Sequence, residues 1–197
     1  VDLLTGPLEP TNRPYALAKI AGIEMCWAYN RQHGTRYFAV MPTNCYGPGD
    51  NYDLENSHVL PALIRKVHEA KDANQEKFVA WGTGEVFREF LYSDDLADAC
   101  LRLLSLPEEE LHFLFSNNCP PLINIGSAVE LRICELAEKV AQVVGFKGVI
   151  DWDKTKPDGA PKKLLDSSRI NTLGWYPNIA LESGLKLAYN DFLRRYK

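Results

Sequence analysis

The sequence lacks the features that mark membrane, secreted and zinc-binding proteins. No apolar run approaches the roughly 18 residues that a membrane-spanning helix needs, and the first residues do not resemble a signal peptide. The five cysteines are an odd number, and they include neither a C-x-x-C pair nor a neighbouring histidine cluster. We therefore expect free cysteines, no metal site, no membrane segment and a reducing compartment such as the cytoplasm.

Strong positive charge is also missing. The formal net charge is −4 at pH 7, and lysines and arginines form no basic run, so we expect no nucleic-acid partner. An anionic ligand would need a local positive pocket in this acidic chain. With 46% hydrophobic and 24% charged residues in 197, the composition is that of a globular protein with a sizeable core.

Hydrophobic periodicity predicts alternating strands and helices. Strands are predicted at 37–41, 78–81, 87–91, 122–126 and 149–152, and helices at 12–34, 57–70, 93–106, 130–144, 167–173 and 181–196. Polar or turn-rich loops are predicted at 42–50 and 153–163, and Asn12 and Ser93 are the expected helix caps. Such alternation is typical of α/β architecture with parallel strands.

A boundary is expected near residue 52. Residues 1–52 would be the remainder of a Rossmann-like doubly wound parallel sheet that binds a dinucleotide. Residues 53–197 would mainly form a smaller mixed α/β domain that binds the substrate, with segments near 78–106 and 122–126 as candidates to return to the large sheet.

Tyr15 and Lys19 are the first candidate catalytic pair. Four residues apart on a helix, they share one face. A cation within reach of a phenol favours the phenolate, which could exchange a proton with a sugar hydroxyl while a nicotinamide exchanges hydride with the same carbon. The spacing alone is weak evidence, because a surface tyrosine stacked on a lysine stem gives the same pattern.

The segment after the first strand strengthens this interpretation. Ligands of open α/β sheets bind beyond the carboxyl ends of strands, and the turn Asn44-Cys45-Tyr46-Gly47-Pro48 follows such an end. Together with Tyr15-x-x-x-Lys19, this turn resembles the extended short-chain dehydrogenase/reductase family of nucleotide-sugar enzymes. The strings at 9–22, 41–44, 56–63, 81–84, 88–91 and 156–159 narrow the resemblance to the GDP-L-fucose synthase family, across essentially the whole chain.

The resemblance implies an NADP-dependent enzyme that epimerises C3 and C5 of GDP-4-keto-6-deoxy-D-mannose and reduces C4, giving GDP-L-fucose. Tyr15 matches the proton donor to the C4 oxygen, and Lys19 matches the residue that holds the nicotinamide ribose. His58 matches the acid of epimerisation, close to the nicotinamide. The loop beside the nicotinamide is matched by Pro42, Thr43, Asn44 and Cys45.

Substrate-binding positions of the family are matched by Lys66, Trp81, Arg88 and Asp158, and more weakly by Lys163. The chemistry is reasonable, because an arginine can grip a diphosphate with two parallel hydrogen bonds, and a lysine can add a point charge. Without the resemblance, Lys66 would be interpreted as a solvated residue, Trp81 as a core residue and His58 as a structural or solvated one.

The chain departs from the family pattern in its nucleotide-binding half. No glycine-rich turn follows a first strand, since Gly47-x-Gly49 and Gly82-x-Gly84 come after other elements. The catalytic serine and the base cysteine of the family have no match, and Cys45 is not that base. We expect that roughly 120 preceding residues are missing, that this carboxyl-terminal portion is inactive alone, and that the sequence leaves NADP versus NAD undecided.

Two alternatives remain open at this point. One is another nucleotide-sugar epimerase or dehydratase of the same family, and the other is a non-catalytic stable fragment. Family members usually form homodimers through the tyrosine helix. Apolar residues on more than one face of segment 15–34 are compatible with such an interface.

Overall fold

The computed structural model describes residues 4–115 and 118–196. The helices are α1 Arg13–His33, α2 Val59–Asp72, α3 Ser93–Ser105, α4 Glu108–Leu111, α5 Ile133–Val144, α6 Ser168–Thr172 and α7 Leu181–Arg195. The strands are β1 Ala39–Pro42, β2 Asn44–Tyr46, β3 Lys77–Trp81, β4 Phe87–Tyr92, β5 Leu122–Ile125, β6 Glu130–Arg132, β7 Val149–Asp153 and β8 Lys162–Lys163. Short 3-10 helices cover Pro10–Asn12 and His112–Phe115.

The chain folds into two compact units that both draw on distant parts of the sequence. The described residues of the first unit are 4–41, 99–115, 118–125 and 167–175, and those of the second are 42–98, 126–166 and 176–196. The predicted assignment of 1–52 to dinucleotide binding and of 53–197 to substrate binding concerns function, and it stays a prediction.

In the first unit, α1 is a long helix with little burial of its own. Pro14 lies in its first turn, and Gly34 ends it in the left-handed conformation at φ 64°, its N–H donating to the carbonyl of Asn30. Asn12 holds the cap position but makes no side-chain cap hydrogen bond, so the capping prediction was wrong in this respect. Within the described part of the chain, Ile23 is the one buried residue of α1.

The rest of the first unit is a small sheet with helices. Strands β1 and β5 pair, and the N–H of Ala39 donates to the carbonyl of Pro121 at 2.8 Å. Burial is concentrated in β5, where Leu122, Ile123 and Ile125 are almost fully covered.

The second unit contains two sheets. In one, β2 and β8 lie parallel to β4, with Asn44 opposite Phe90 and Lys163 opposite Arg88, while β6 is antiparallel to β4. In the other, β3 and β7 are parallel, from Lys77 opposite Val149 to Trp81 opposite Asp153.

Helices α2, α5 and α7 supply the core of the second unit. They pack together through apolar side chains that include Leu60, Ile64, Val67, Leu136, Val140, Leu185 and Ala188. Strand β3 alternates strictly: Phe78 and Ala80 point into this core, and Lys77, Val79 and Trp81 point out of it. Trp81 is therefore presented at the surface and does not belong to the core.

The predicted α/β fold with parallel strands is confirmed, while several local predictions were wrong. The predicted loops 42–50 and 153–163 contain strands β2 and β8, and the predicted helix 130–144 begins with strand β6. Helix α4 was not predicted. Strands of two or three residues are too short to show a period of two, so only their pairing with β4 defines them. Among the described residues, no helix combines the length and apolar character that crossing a membrane requires.

Candidate functional site

The Tyr15 and Lys19 pair lies at the start of α1, in the first unit. The Nζ of Lys19 is 5.4 Å from the centroid of the Tyr15 ring, and Tyr15 is 61% exposed. The ammonium therefore lies over the aromatic ring, and the phenol is exposed. The same contact also fits the surface pair considered above.

The predicted cofactor loop lies in the second unit and is tied to strand β4. The Thr43 hydroxyl and the Asn44 side-chain amide both donate to the main-chain carbonyl of Glu89, at 3.1 and 2.8 Å. The Cys45 thiol donates to the carbonyl of Thr43 at 3.5 Å. These side-chain donors are therefore used to hold the loop itself in place. Pro42 is exposed at the start of the loop.

Most of the predicted substrate residues share one cavity of about 270 Å³ in the second unit. Lys66 from α2, Trp81 from β3, Arg88 from β4 and Asp158 from the segment between β7 and β8 all line it. These four residues are far apart in sequence, and the fold brings them together in one cavity.

Two other predicted residues, Lys163 and His58, are not among the described residues that line the cavity. Lys163 is exposed in β8, opposite Arg88 in the strand pairing. His58 is exposed at the N-cap position of α2, although its neighbours Ser57 and Val59 do line the cavity. His58 thus stands at the rim, next to the lining residues.

Trp81 carries two lysine ammonium groups on its ring. The Nζ of Lys66 is 4.4 Å and the Nζ of Lys156 is 5.4 Å from the centroid of the ring, and the indole is 56% exposed. Burial lowers the pKa of the Lys66 ammonium below that of an exposed lysine. Of the residues that the structure describes, no carboxylate forms an ion pair with Lys66.

Arg88 is held by neutral oxygen atoms. Its Nη1 donates to the carbonyls of Phe87 and Ala160, both at 2.7 Å, and its Nη2 donates to the carbonyl of Asp158 at 3.4 Å. Burial lowers the pKa of the Arg88 guanidinium, and the nearby negative charge of Asp158 offsets part of that shift. These hydrogen bonds fix the orientation of Arg88. Within the described ranges Arg88 has no ion pair, so its charge is left for an anion.

Asp158 is fixed by the turn that follows β3. One carboxylate oxygen accepts the main-chain N–H of Thr83 at 2.7 Å, and the other accepts its hydroxyl at 2.8 Å. Gly82 makes this possible, because it has φ +83° and a Cβ there would lie 2.3 Å from the Asp158 carboxylate.

Sequence reasoning missed Ser57, Thr83 and Lys156 as members of this site. Each lies within a string that carried the resemblance, but nothing in the local pattern distinguished it from a turn or surface residue. None of the five cysteines forms a disulfide, and within the described ranges no cluster of His, Cys, Asp and Glu is arranged to hold a metal ion.

Comparison with known proteins identifies the family. The model of the NAD dependent epimerase/dehydratase family matches residues 1–126. The chain belongs to this family. The epimerase/dehydratase match covers the Tyr15 helix, the loop after β1 and the cavity residues from β3 and β4.

Relatives within the epimerase/dehydratase family confirm the predicted resemblance. A putative GDP-L-fucose synthase 2 from Arabidopsis thaliana is 54% identical over 97% of this chain, which covers 55% of that protein. The GDP-L-fucose synthase of Escherichia coli K12 is 51% identical over 98% of this chain, which covers 60% of it. A GDP-L-fucose synthetase structure from Naegleria fowleri bound to NADP superimposes with a TM-score of 0.84 at 28% identity, over 98% of this chain and 60% of that one. The chain thus spans 55 to 60% of these curated relatives.

Proposed function

We propose that the protein to which this chain belongs converts GDP-4-keto-6-deoxy-D-mannose into GDP-L-fucose, using NADPH. The supporting observation is the cavity of the second unit. There Lys66 and Arg88 lie beside the exposed indole of Trp81, and neither forms an ion pair with a described residue. The relatives named above are named as synthases of GDP-L-fucose, and the chain covers 55 to 60% of their length, so we assign the reaction to the complete protein.

The cavity suits a nucleoside diphosphate. Arg88 offers its planar guanidinium to the diphosphate oxygens, and Lys66 adds a second positive charge. Trp81 supplies a flat apolar face, and Asp158, held by Thr83, supplies an acceptor for N–H or O–H groups of the ligand. The described lining holds the carboxylates of Glu55 and Asp158 as well as the two cations, and neither cation is in an ion pair there, so both charges are available to an anionic substrate.

Reduction at C4 is assigned to the Tyr15 helix. When bound, NADPH supplies the hydride. Tyr15 gives its phenolic proton to the C4 oxygen, and Lys19 holds the phenol and the nicotinamide ribose, which fits the exposed phenol and the ammonium over its ring. The other end of the cofactor is not assigned to residues of this sequence, which has no glycine-rich turn after a first strand.

Epimerisation precedes reduction in this scheme. Protons at C3 and C5 of a 4-keto sugar are acidic, because the carbonyl delocalises the negative charge that their removal leaves. His58, exposed at the N-cap position of α2, is the proposed acid that returns a proton. The base is not assigned to this chain. The cytoplasmic location expected from cysteines without disulfides belongs to the same proposal.

The proposal is tested by incubating the complete protein with GDP-4-keto-6-deoxy-D-mannose and NADPH. We expect NADPH oxidation and GDP-L-fucose as the product identified by NMR. NADPH oxidation or sugar isomerisation with other nucleotide sugars only would favour the alternative epimerase or dehydratase. Inactivity with every nucleotide sugar would favour a non-catalytic protein. For the 197-residue chain alone we expect no NADPH oxidation.

A further inference from the structure

The hydroxyl of Ser57 is an unused polar group in the wall of the cavity. Ser57 lines the cavity, its Oγ is shielded from water, and no residue in the described part of the chain gives it a hydrogen-bond partner. Its backbone, in contrast, is fixed, because its N–H donates to the carbonyl of Asp53 at 3.1 Å. Buried hydroxyls are seldom left unpaired, and an exception in a cavity wall indicates that a ligand supplies the partner.

The place of Ser57 along α2 indicates which part of a ligand it meets. Val59, Ala62, Leu63 and Lys66 of α2 line the cavity at helical spacing, so the cavity follows one face of this helix. The eight residues from Val59 to Lys66 span about 10 Å at about 1.5 Å per residue. Ser57 therefore lies just before the N-terminal end of α2, where Leu54 and Glu55 also line the cavity, and Lys66 lies further along the helix.

An extended nucleotide sugar fits this separation. With the diphosphate at Lys66 and Arg88, the two groups attached to it, the hexose and the nucleoside, extend to either side. Ser57 directly precedes His58, which is proposed to act on carbons of the hexose. This adjacency assigns Ser57 to the sugar rather than to the nucleoside.

We propose that the Ser57 hydroxyl hydrogen-bonds an oxygen of the hexose and thereby selects for a correctly placed sugar. This inference rests on the proposed function and adds a specificity-determining residue to it. A site built to hydrogen-bond a substrate hydroxyl discriminates strongly, because its own buried group stays unpaired with any sugar that lacks the matching oxygen.

The test is calorimetric titration of the 197-residue chain with GDP-L-fucose and, separately, with GDP. In the Ser57→Ala variant, we expect the affinity for GDP-L-fucose to fall about tenfold and that for GDP to change by less than about twofold. Ser57→Thr, which keeps the hydroxyl, should recover most of the lost affinity. Ser127→Ala is the control, because Ser127 does not belong to the cavity lining found in the described residues and its hydroxyl oxygen already accepts the N–H of Val129.

The outcomes separate this inference from the function on which it rests. Binding of neither ligand by the wild-type chain contradicts the proposed function of the cavity. If the wild-type chain binds GDP, two results for Ser57→Ala overturn only the role of Ser57. One is an equal loss of both affinities, and the other is no loss of either. Equal wild-type affinities for GDP and GDP-L-fucose also overturn it. Thermal unfolding midpoints of the variants show whether a loss reflects unfolding.

Discussion

At the scale of single residues, Arg88 and Glu89 show how one strand serves both the cavity and the core. Arg88 faces the cavity and is held by main-chain carbonyls. Glu89 is fully buried, and its two carboxylate oxygens accept the N–H groups of Ala128 and Leu165. Burying a carboxyl group is costly unless it is hydrogen-bonded, and such costs in a native protein concentrate where they position functional groups. Glu89 thus anchors the strand from which Arg88 projects.

The chemical type of each cavity residue could be used for prediction more readily than its exposure to solvent could be predicted. Lys66 alone would be interpreted as a solvated lysine and Trp81 as a core residue, and only the resemblance assigned both to substrate binding. The structure reverses both environments, since Lys66 is partly buried and Trp81 is largely exposed. Exposure is decided by which neighbouring elements cover a side chain, and single-residue chemistry does not contain that information.

The Tyr15→Phe variant of the complete protein tests the division of labour in the proposed reaction. Because it removes only the phenolic hydroxyl, which is the proposed proton donor, we expect NADPH oxidation to fall by about 10²- to 10⁴-fold, while deuterium exchange from D₂O at C3 or C5 continues. Tyr29→Phe on the same helix is the matched control and should leave both rates unchanged. Equal loss of reduction and exchange in Tyr15→Phe would count against separate roles for Tyr15 and His58.

At the scale of elements, short strands determine where the cavity residues lie. Strand β8 has two residues, and its pairing with β4 fixes the end of the segment that carries Asp158. Strands β6 and β8 were not predicted, because they gain their conformation from β4 and not from their own sequence. Longer elements such as α2, α5 and β3 were predicted, since an amphipathic or alternating pattern over many residues is a property of the sequence itself.

The turn after β3 gives a prediction at this scale. Gly82 and Gly49 both have φ +83°, but a Cβ on Gly82 would meet the Asp158 carboxylate, whereas a Cβ on Gly49 would meet no atom within 4 Å. We expect Gly49→Ala to lower the free energy of unfolding by about 1 to 2 kcal/mol through backbone strain alone. Gly82→Ala should cost at least about 1.5 kcal/mol more, because Asp158 must leave Thr83. Urea unfolding measures both changes, and equal losses would show that the Asp158 contact contributes nothing.

At the scale of the whole molecule, the division into two units follows no single point in the sequence. The first unit takes residues from three separate stretches, as does the second. Pattern analysis assigns elements in order along the chain, and it has no means of deciding which distant elements share a core. The α/β class could therefore be predicted, while the membership of the units could not.

Helix α1 leads to a prediction about assembly. Its exposed side chains include Leu17, Met25 and Tyr29, and a helix that buries so little has few stabilising contacts of its own. We expect the protein to form a homodimer through α1, and Met25→Glu to convert it to a monomer in size-exclusion chromatography with light scattering. Leu187→Glu, on α7, is the control and should leave the dimer intact. A monomeric wild type, or a Met25→Glu dimer, would contradict this assignment.

The central claim is that the cavity of the second unit binds a nucleoside diphosphate through Arg88 and Lys66, and calorimetric titration with GDP and GMP tests it most directly. We expect the chain to bind GDP more tightly than GMP, and Arg88→Ala to weaken GDP binding by about 10- to 100-fold while it removes most of the difference between the two nucleotides. Equal affinities of the wild-type chain for GDP and GMP, or an unchanged affinity of Arg88→Ala for GDP, would contradict the claim.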